Sequence, residues 1–319
     1  MSETPSNAPE NDATPPASTP GAPSATPDAG LGFELKKRRR WPWVAGGIVV
    51  VVGVAAAITI PLLSPTASAN DQAGATLYVA TAEGNASEEA LVNYVAANVA
   101  PKYGITVAFK GLSDSNTINR AVSDGEVAAT VYQHKLWLGQ VLEANPDFKE
   151  EAATPVFRWG FGLWSDKYTD PSQIPDGGTI SLYSDPANES QGLWILDSAG
   201  LITLKDGTDK GTATVDDIAS NPKNLKFTLL DFAAQSRALP DLDAAVGYTE
   251  YYLAANIPIA DQIFAPQAPD EFAGQLTIGS NYADSDNIKK LVAAFQDPLV
   301  QQFLASDPTV KGILLPLNQ

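Results

Sequence analysis

Residues 75–319 predict an α/β protein of two lobes, and three observations carry that prediction. Strand and helix signals alternate along this stretch, the arrangement that builds largely parallel sheets. A strand-rich run at 155–165 leads from one alternating unit into a second, and the chain returns to the first after about residue 255. The roughly 245 residues involved suffice for two separate cores joined by crossover strands.

Each element has its own signal. Thr76–Ala82 reads as a short apolar strand. Ser87-Glu88-Glu89 caps a helix whose Leu91, Tyr94, Val95 and Val99 share one face, until Pro101 and Gly104 stop it. Residues 105–112 form the next strand, 116–123 a short helix and 127–132 a third strand. A helix through Leu136, Leu138, Val141 and Leu142 follows. The second unit holds a strand at Thr179–Tyr183 and a helix opened by Asp185 as cap and Pro186 in its first turn, with Gly200 after its apolar stretch. It continues with a strand at 225–230 and a short helix near 235–239. Helices at 287–295 and 299–305 cover the first unit, and there is no internal repeat. Lobe 1 is thus 75–158 and 256–319, and lobe 2 is 159–255.

The first seventy residues read differently. Residues 1–30 are almost wholly Ser, Thr, Pro, Ala, Gly, Asn and acidic residues, too poor in apolar surface to offset their ordering entropy. A basic run, Lys36-Lys37-Arg38-Arg39-Arg40, precedes 41–63, which has no charged residue in 23 positions. At about 1.5 Å per residue that span reaches roughly 34 Å, enough for a bilayer core of about 30 Å. The segmentation is a disordered cytoplasmic tail at 1–35, a basic run with a transmembrane helix at 36–63, and a linker at 64–74. The expected location is the cell membrane, single-pass, with the domain outside. Cleavage at the small-x-small site ending in Ala69, giving a secreted domain, is the rival.

Composition excludes several functions. The chain has no cysteine, which removes disulfides, thiol catalysis and lipidation on cysteine. Residues 1–69 hold five acidic and five basic side chains, so the net charge of −17 falls entirely on 70–319 and disfavours nucleic acid. His134 is the single histidine, and there is no Gly-x-Ser-x-Gly elbow, P-loop or Gly-x-Gly-x-x-Gly. Asp284-Ser285-Asp286-Asn287 lacks the glycine and glutamate of a calcium loop and reads as a helix cap. No enzyme activity, catalytic residue, cofactor or metal is expected.

Two stretches point to binding. A helix N-terminus at the carboxyl end of a strand, as at Ser184-Asp185-Pro186-Ala187-Asn188-Glu189-Ser190-Gln191-Gly192-Leu193, is where α/β proteins hold small polar ligands. Between Asp114 and Leu138, a turn at Asp124-Gly125 feeds a buried strand that delivers Tyr132, Gln133 and His134 to its carboxyl end. Both stretches resemble signatures of the methionine-binding lipoprotein family (the NlpA/MetQ type of ABC-importer binding protein). Further matches lie at Ser165-Asp166-Lys167-Tyr168, Ala199-Gly200-Leu201-Ile202-Thr203-Leu204-Lys205, Asn221-Pro222-Lys223-Asn224-Leu225 and Ala234-Gln235-Ser236-Arg237-Ala238-Leu239. The resemblance covers about 75–319 and implies a two-lobe periplasmic-binding-protein-like fold (type II). It also implies an ABC permease as partner, a monomeric outer domain, and an amino acid, a derivative or a short peptide as ligand. Tyr132, His134 and Trp137 would line the side-chain pocket, with Asn119 and Asn188 among the contacts.

Several positions depart from the family pattern. Its carboxylate-holding arginine is Gln191 here, its tyrosine after Asp is Ser115, and Tyr248 and Glu250 stand where asparagines are expected. Glutamine offers only neutral hydrogen bonds, so a free ligand carboxylate is unwelcome. The expected ligand end is neutral or cationic, unless Arg158 or Arg237 restores the lost charge. A membrane-bound sensor reusing the fold is the alternative function.

Overall fold

The computed structural model describes residues 69–209 and 211–318. The expected tail, basic run, membrane helix and first part of the linker lie outside the described residues. What is described of the linker is not extended. Ala69–Asp71 forms a tight turn, with Asn70 buried and its Nδ2 donating to the Gly125 carbonyl at 2.9 Å.

The chain order is β1 (Thr76–Ala82), α1 (Ala86–Tyr94), β2 (Thr106–Leu112), α2 (Ser115–Ser123), β3 (Ala129–His134), α3 (Lys135–Ala144), β4 (Glu150–Trp159) and β5 (Phe161–Trp164). There follow β6 (Thr179–Tyr183), α4 (Pro186–Ser198), β7 (Thr203–Leu204), β8 (Ile218–Ser220), β9 (Lys226–Leu230), α5 (Phe232–Ala238), β10 (Ala244–Tyr248) and α6 (Thr249–Ala254). The last elements are β11 (Gln262–Phe264), β12 (Gly274–Gly279), α7 (Asp286–Phe295), α8 (Pro298–Ser306) and β13 (Leu314–Leu315).

These strands form two principal sheets, and the fold is the expected α/β architecture of two lobes with crossover strands. One sheet runs β13-β4-β12-β3-β1-β2 and the other β11-β5-β10-β6-β9. In each, a parallel trio carries the alternating pattern: β2, β1 and β3 in the first, β9, β6 and β10 in the second. The remaining strands pair antiparallel, so the sheets are mixed rather than largely parallel. Two of them, β5 and β12, arrive directly from the other sheet, without the covering helix that a parallel crossover needs. β11 still pairs with β5, and β12 joins the first sheet. The chain therefore passes back between Phe264 and Gly274, later than the expected 255.

Gly160 alone separates β4 from β5. Its amide donates to the Ile313 carbonyl at 2.7 Å and its carbonyl accepts from the Thr249 amide at 2.8 Å. A Cβ there would collide with the Gly312 carbonyl and the Thr249 hydroxyl, so only glycine lets the chain cross. Beneath the sheets, Leu77, Val79, Leu91, Val95, Leu291 and Phe303 pack one part of the core, and Ile180, Leu182, Leu193, Leu196 and Val246 another. Each such side chain removed from water contributes about 1.5–3 kcal/mol.

Local signals explain the helix ends that face the site. Asp185 caps α4 by accepting from the Asn188 amide at 2.9 Å, and Pro186 occupies the first turn. Gly200, at φ +70°, ends the helix in the left-handed region, with its amide on the Asp197 carbonyl and that of Leu201 on the Leu196 carbonyl. Ser285 caps α7 through the Ile288 amide, so the aspartate-rich stretch is a cap as expected. At α1 the cap is Asn85 rather than Ser87: Asn85 Oδ1 accepts from the Glu88 amide at 3.1 Å.

Candidate functional site

Strands β1 and β3 of the first sheet and β6 and β10 of the second end around one cavity of ≈ 340 Å³. Six helices, α1 to α6, present their N-terminal residues to it. Helix N-termini attract anions, but here Asp114, Asp185 and Asp231 occupy the caps of α2, α4 and α5. Asp114 and Asp185 already accept backbone amides of the first turns they cap. At α2 and α4 the capping carboxylate thus takes a first-turn amide, and all three aspartates border the cavity.

Seven of the nine expected residues line this cavity: Ser115, Tyr132, His134 and Trp137 from the first sheet's side, and Asn188, Tyr248 and Glu250 from the second's. Asn119 and Gln191 do not reach its surface. Asn119 is fully buried, with Nδ2 donating to Tyr132 Oη at 2.5 Å and to the Ser115 carbonyl at 2.9 Å, while its Oδ1 accepts from Gln133 Nε2 at 2.7 Å. It fixes Tyr132 from behind. The Tyr132 hydroxyl also receives the Trp137 indole at 3.4 Å, so the aromatic wall is pinned by polar groups at its rear.

His134 ends β3 and caps α3. Its Nδ1 accepts from the Trp137 amide at 3.1 Å, which places the ring proton on Nε2, 3.4 Å from Asn188 Oδ1. Burial pushes its pKa down to about 4, so the ring is neutral at pH 7 and donates rather than carrying charge.

Asn188 and Gln191 lie one helical turn apart on α4, and Tyr248 closes over both. Its hydroxyl lies 2.5 Å from Asn188 Oδ1 and 3.2 Å from Gln191 Oε1. The hydroxyl has one proton, so the shorter contact takes it. The longer contact becomes a bond when the Gln191 amide turns its Nε2 to the phenolic oxygen. Asn188 Nδ2 donates back to Asp185 Oδ1 at 2.9 Å. Apart from the Asp185 carboxyl, whose Oδ2 has no hydrogen-bond partner, this floor is built of neutral groups that bond one another.

Neither candidate replacement cation reaches the cavity. Arg158 donates to the carbonyls of Leu317 and Ala268 and pairs with Asp270 at 2.5 Å, and Arg237 is exposed on α5. Among the described residues, no lysine or arginine lines the cavity.

Sequence reasoning missed Glu88, Trp159, Phe232 and Tyr251, all of which line it. Glu88 is 2 % exposed, and burial first, then the nearby charge of Glu250, raise its pKa well above the carboxylate range. Glu250 is pushed up to about 7 by burial, against bonds from Asn85 and Ser87. A glutamate in a helix's first turn has an ordinary reading as a partner of the helix dipole, which hid Glu88. Trp159 meets Tyr248 edge to face at 5.8 Å, and Phe232 stacks on Tyr248 at 6.1 Å.

Comparison with known proteins places this geometry. The model of the family described as NlpA lipoprotein matches residues 77–317. The methionine-binding lipoprotein MetQ of Bacillus subtilis is 30 % identical over 220 residues, 68 % of this chain and 80 % of that protein. The D-methionine-binding lipoprotein MetQ of Escherichia coli K12 is 32 % identical over 204 residues, 63 % and 74 % of the two chains. A nutrient-binding protein from Burkholderia cenocepacia, solved bound to methionine, superposes with a TM-score of 0.64 at 33 % identity, covering 75 % of this chain and 98 % of that one. A periplasmic substrate-binding protein of an ABC transporter from Coxiella burnetii gives 0.66 at 32 %, covering 75 % and 99 %.

These findings correct the expected localisation. The matched family is one of lipoproteins, and among the described residues no helix is long and apolar enough to cross a membrane. The single-pass anchoring expected from 41–63, a segment outside the described residues, does not stand.

Proposed function

The chain belongs to the NlpA lipoprotein family, and on that premise we propose that it is the solute-binding protein of an ABC importer, taking an amino-acid-like or short peptide ligand whose recognised end is not a free carboxylate. The names of its relatives and neighbours support the transport role: methionine-binding lipoproteins and a substrate-binding protein of an ABC transporter. The cavity supports a ligand of that size, because it lies between two sheets joined by crossover strands and can close by hinge motion. Tyr132 and Trp137 offer aromatic surface to an apolar or thioether side chain. An ABC permease is the partner that would accept the ligand on opening.

One observation carries the ligand's chemistry: the Tyr248 hydroxyl bonds Asn188 at 2.5 Å, where the family resemblance puts the carboxylate of an amino acid. A carboxylate entering here meets an occupied asparagine and neighbouring acids, with only a neutral glutamine behind them. Losing a bidentate arginine removes charge-assisted bonds that Gln191 does not replace. Isothermal titration of the purified protein with L-methionine, L-methioninamide and methionine-containing dipeptide amides tests this. The expected order is amides well ahead of the free acid. Binding of free L-methionine at about 1 µM or tighter, near −8 kcal/mol, would overturn the ligand assignment.

A further inference from the structure

Glu88 presents an anomaly that the binding network does not absorb. It is buried on α1, and Trp159 and Thr81 satisfy part of its carboxyl. Its Oε2, however, has no hydrogen-bond partner, although the residue borders the cavity. Buried carboxylate oxygens are costly unless something pairs with them. From the opposite sheet's side, Glu250 on α6 borders the same cavity, its carboxyl held by Asn85 Nδ2 at 3.4 Å and by Ser87. Two acids from two lobes therefore share one space, and no lysine or arginine among the lining residues answers them.

We propose that Glu88 and Glu250 form a subsite for one organic cation, the alkylammonium group of the ligand, which they grip from both lobes at once. This rests on the solute-binding reading above and names the ligand class within it: an amine without a free α-carboxylate. The surrounding chemistry separates an organic cation from a metal ion. No group of three or more His, Cys, Asp or Glu suited to a metal occurs among the described residues. The same wall carries the aromatic faces of Trp159 and Tyr251, which attract an alkylammonium while covering its carbon chain. The ammonium supplies donors for Glu88 Oε2 and Glu250. It also favours the ionised form of both acids, which burial and their proximity otherwise disfavour.

The test uses a pair of probes that differ only in charge: 3-(methylthio)propylamine and 3-(methylthio)propan-1-ol. Each is titrated into the purified full chain, with thermal stabilisation and calorimetry as readouts and sodium chloride matching the ionic strength. The amine is expected to bind at least tenfold tighter than the alcohol. Glu88→Gln and Glu250→Gln are isosteric and relieve charge, so both variants stay folded. Each is expected to remove most of the amine's advantage over the alcohol. Equal binding of amine and alcohol, or an amine preference that survives both substitutions, overturns the ammonium subsite while leaving the solute-binding reading in place. No stabilisation by either probe overturns both.

Discussion

Replacing Tyr248 with phenylalanine isolates the bond on which the ligand assignment depends. The ring keeps its neighbours, including Phe161 at 4.7 Å, Trp159 at 5.8 Å and Phe232 at 6.1 Å, so no cavity opens and the packing contribution is unchanged. Only the hydroxyl goes. Asn188 Oδ1 then retains His134 Nε2 at 3.4 Å, and Gln191 loses its contact at 3.2 Å. A buried acceptor deprived of its main donor costs about 1–3 kcal/mol, and urea unfolding should show that loss with an unchanged m-value. The same substitution frees the amides of Asn188 and Gln191 to turn toward a ligand, so free L-methionine should gain about tenfold in affinity, or 1.4 kcal/mol. A stability change below about 0.5 kcal/mol, with no gain for the free acid, would refute the reasoning, because the hydroxyl would then not be holding the floor closed.

His134 should give the protein an acid-labile limb. Its folded pKa of about 4 lies below the ordinary 6.5, so its stabilising contribution is complete above pH 6.5 and is lost as pH falls toward 4. The loss is on the order of 3 kcal/mol, and His134→Asn, which keeps a capping side chain, should flatten that limb in pH-dependent denaturation. Glu150 works in the opposite direction: burial raises it to about 8 and both its carboxyl oxygens lack partners. The native state keeps a proton that the unfolded chain has released above pH 4.5, so stability falls as pH rises through 8. Glu150→Gln should abolish a decline of about 3 kcal/mol between pH 5 and 8. Gly160→Ala should cost about 1–3 kcal/mol or more through overpacking at the crossing, read as a lowered urea midpoint. Gln191→Arg alone should destabilise by about 3–5 kcal/mol, as an unpaired buried charge does. Adding Tyr248→Asn should recover part of that loss only when free methionine is present, measured as a ligand-dependent melting shift.

The elements that the sequence made legible are those with a local cause. Asp185 and Pro186 announce α4, Ser285 announces α7, and the apolar run at Thr179–Tyr183 is a strand with both ends where expected. Pairing direction has no such local signal. The antiparallel placement of β4, β5 and β12 depends on partners far away in the chain, so alternation alone overstated the parallel character. Strand β3 runs two residues past the expected end because His134 serves both as its last residue and as the cap of α3. For the site, residue type revealed which positions were unusual but not their depth. Gln191 and Asn119 look equivalent to lining residues in sequence, yet both sit behind the surface, and Trp159 reads as ordinary core.

Gln191, Tyr248 and Glu250 are best understood as one change rather than three. An arginine at the position of Gln191 would need an anion beside it, and that position is 2 % exposed. Once the guanidinium is absent, the amide that replaces it needs a partner of its own, and the Tyr248 hydroxyl provides one while also occupying Asn188. The tyrosine ring fills the space of the smaller asparagine side chain and is held by Phe232 and Phe161. With the floor closed to a carboxylate, the two glutamates no longer face a zwitterion whose negative end would repel them. They face an unoccupied demand for positive charge. On the proposed reading, each step removes a reason for the ligand to carry an acid and adds one for it to carry an amine, so the pocket's charge preference turns as a unit while the fold around it is kept.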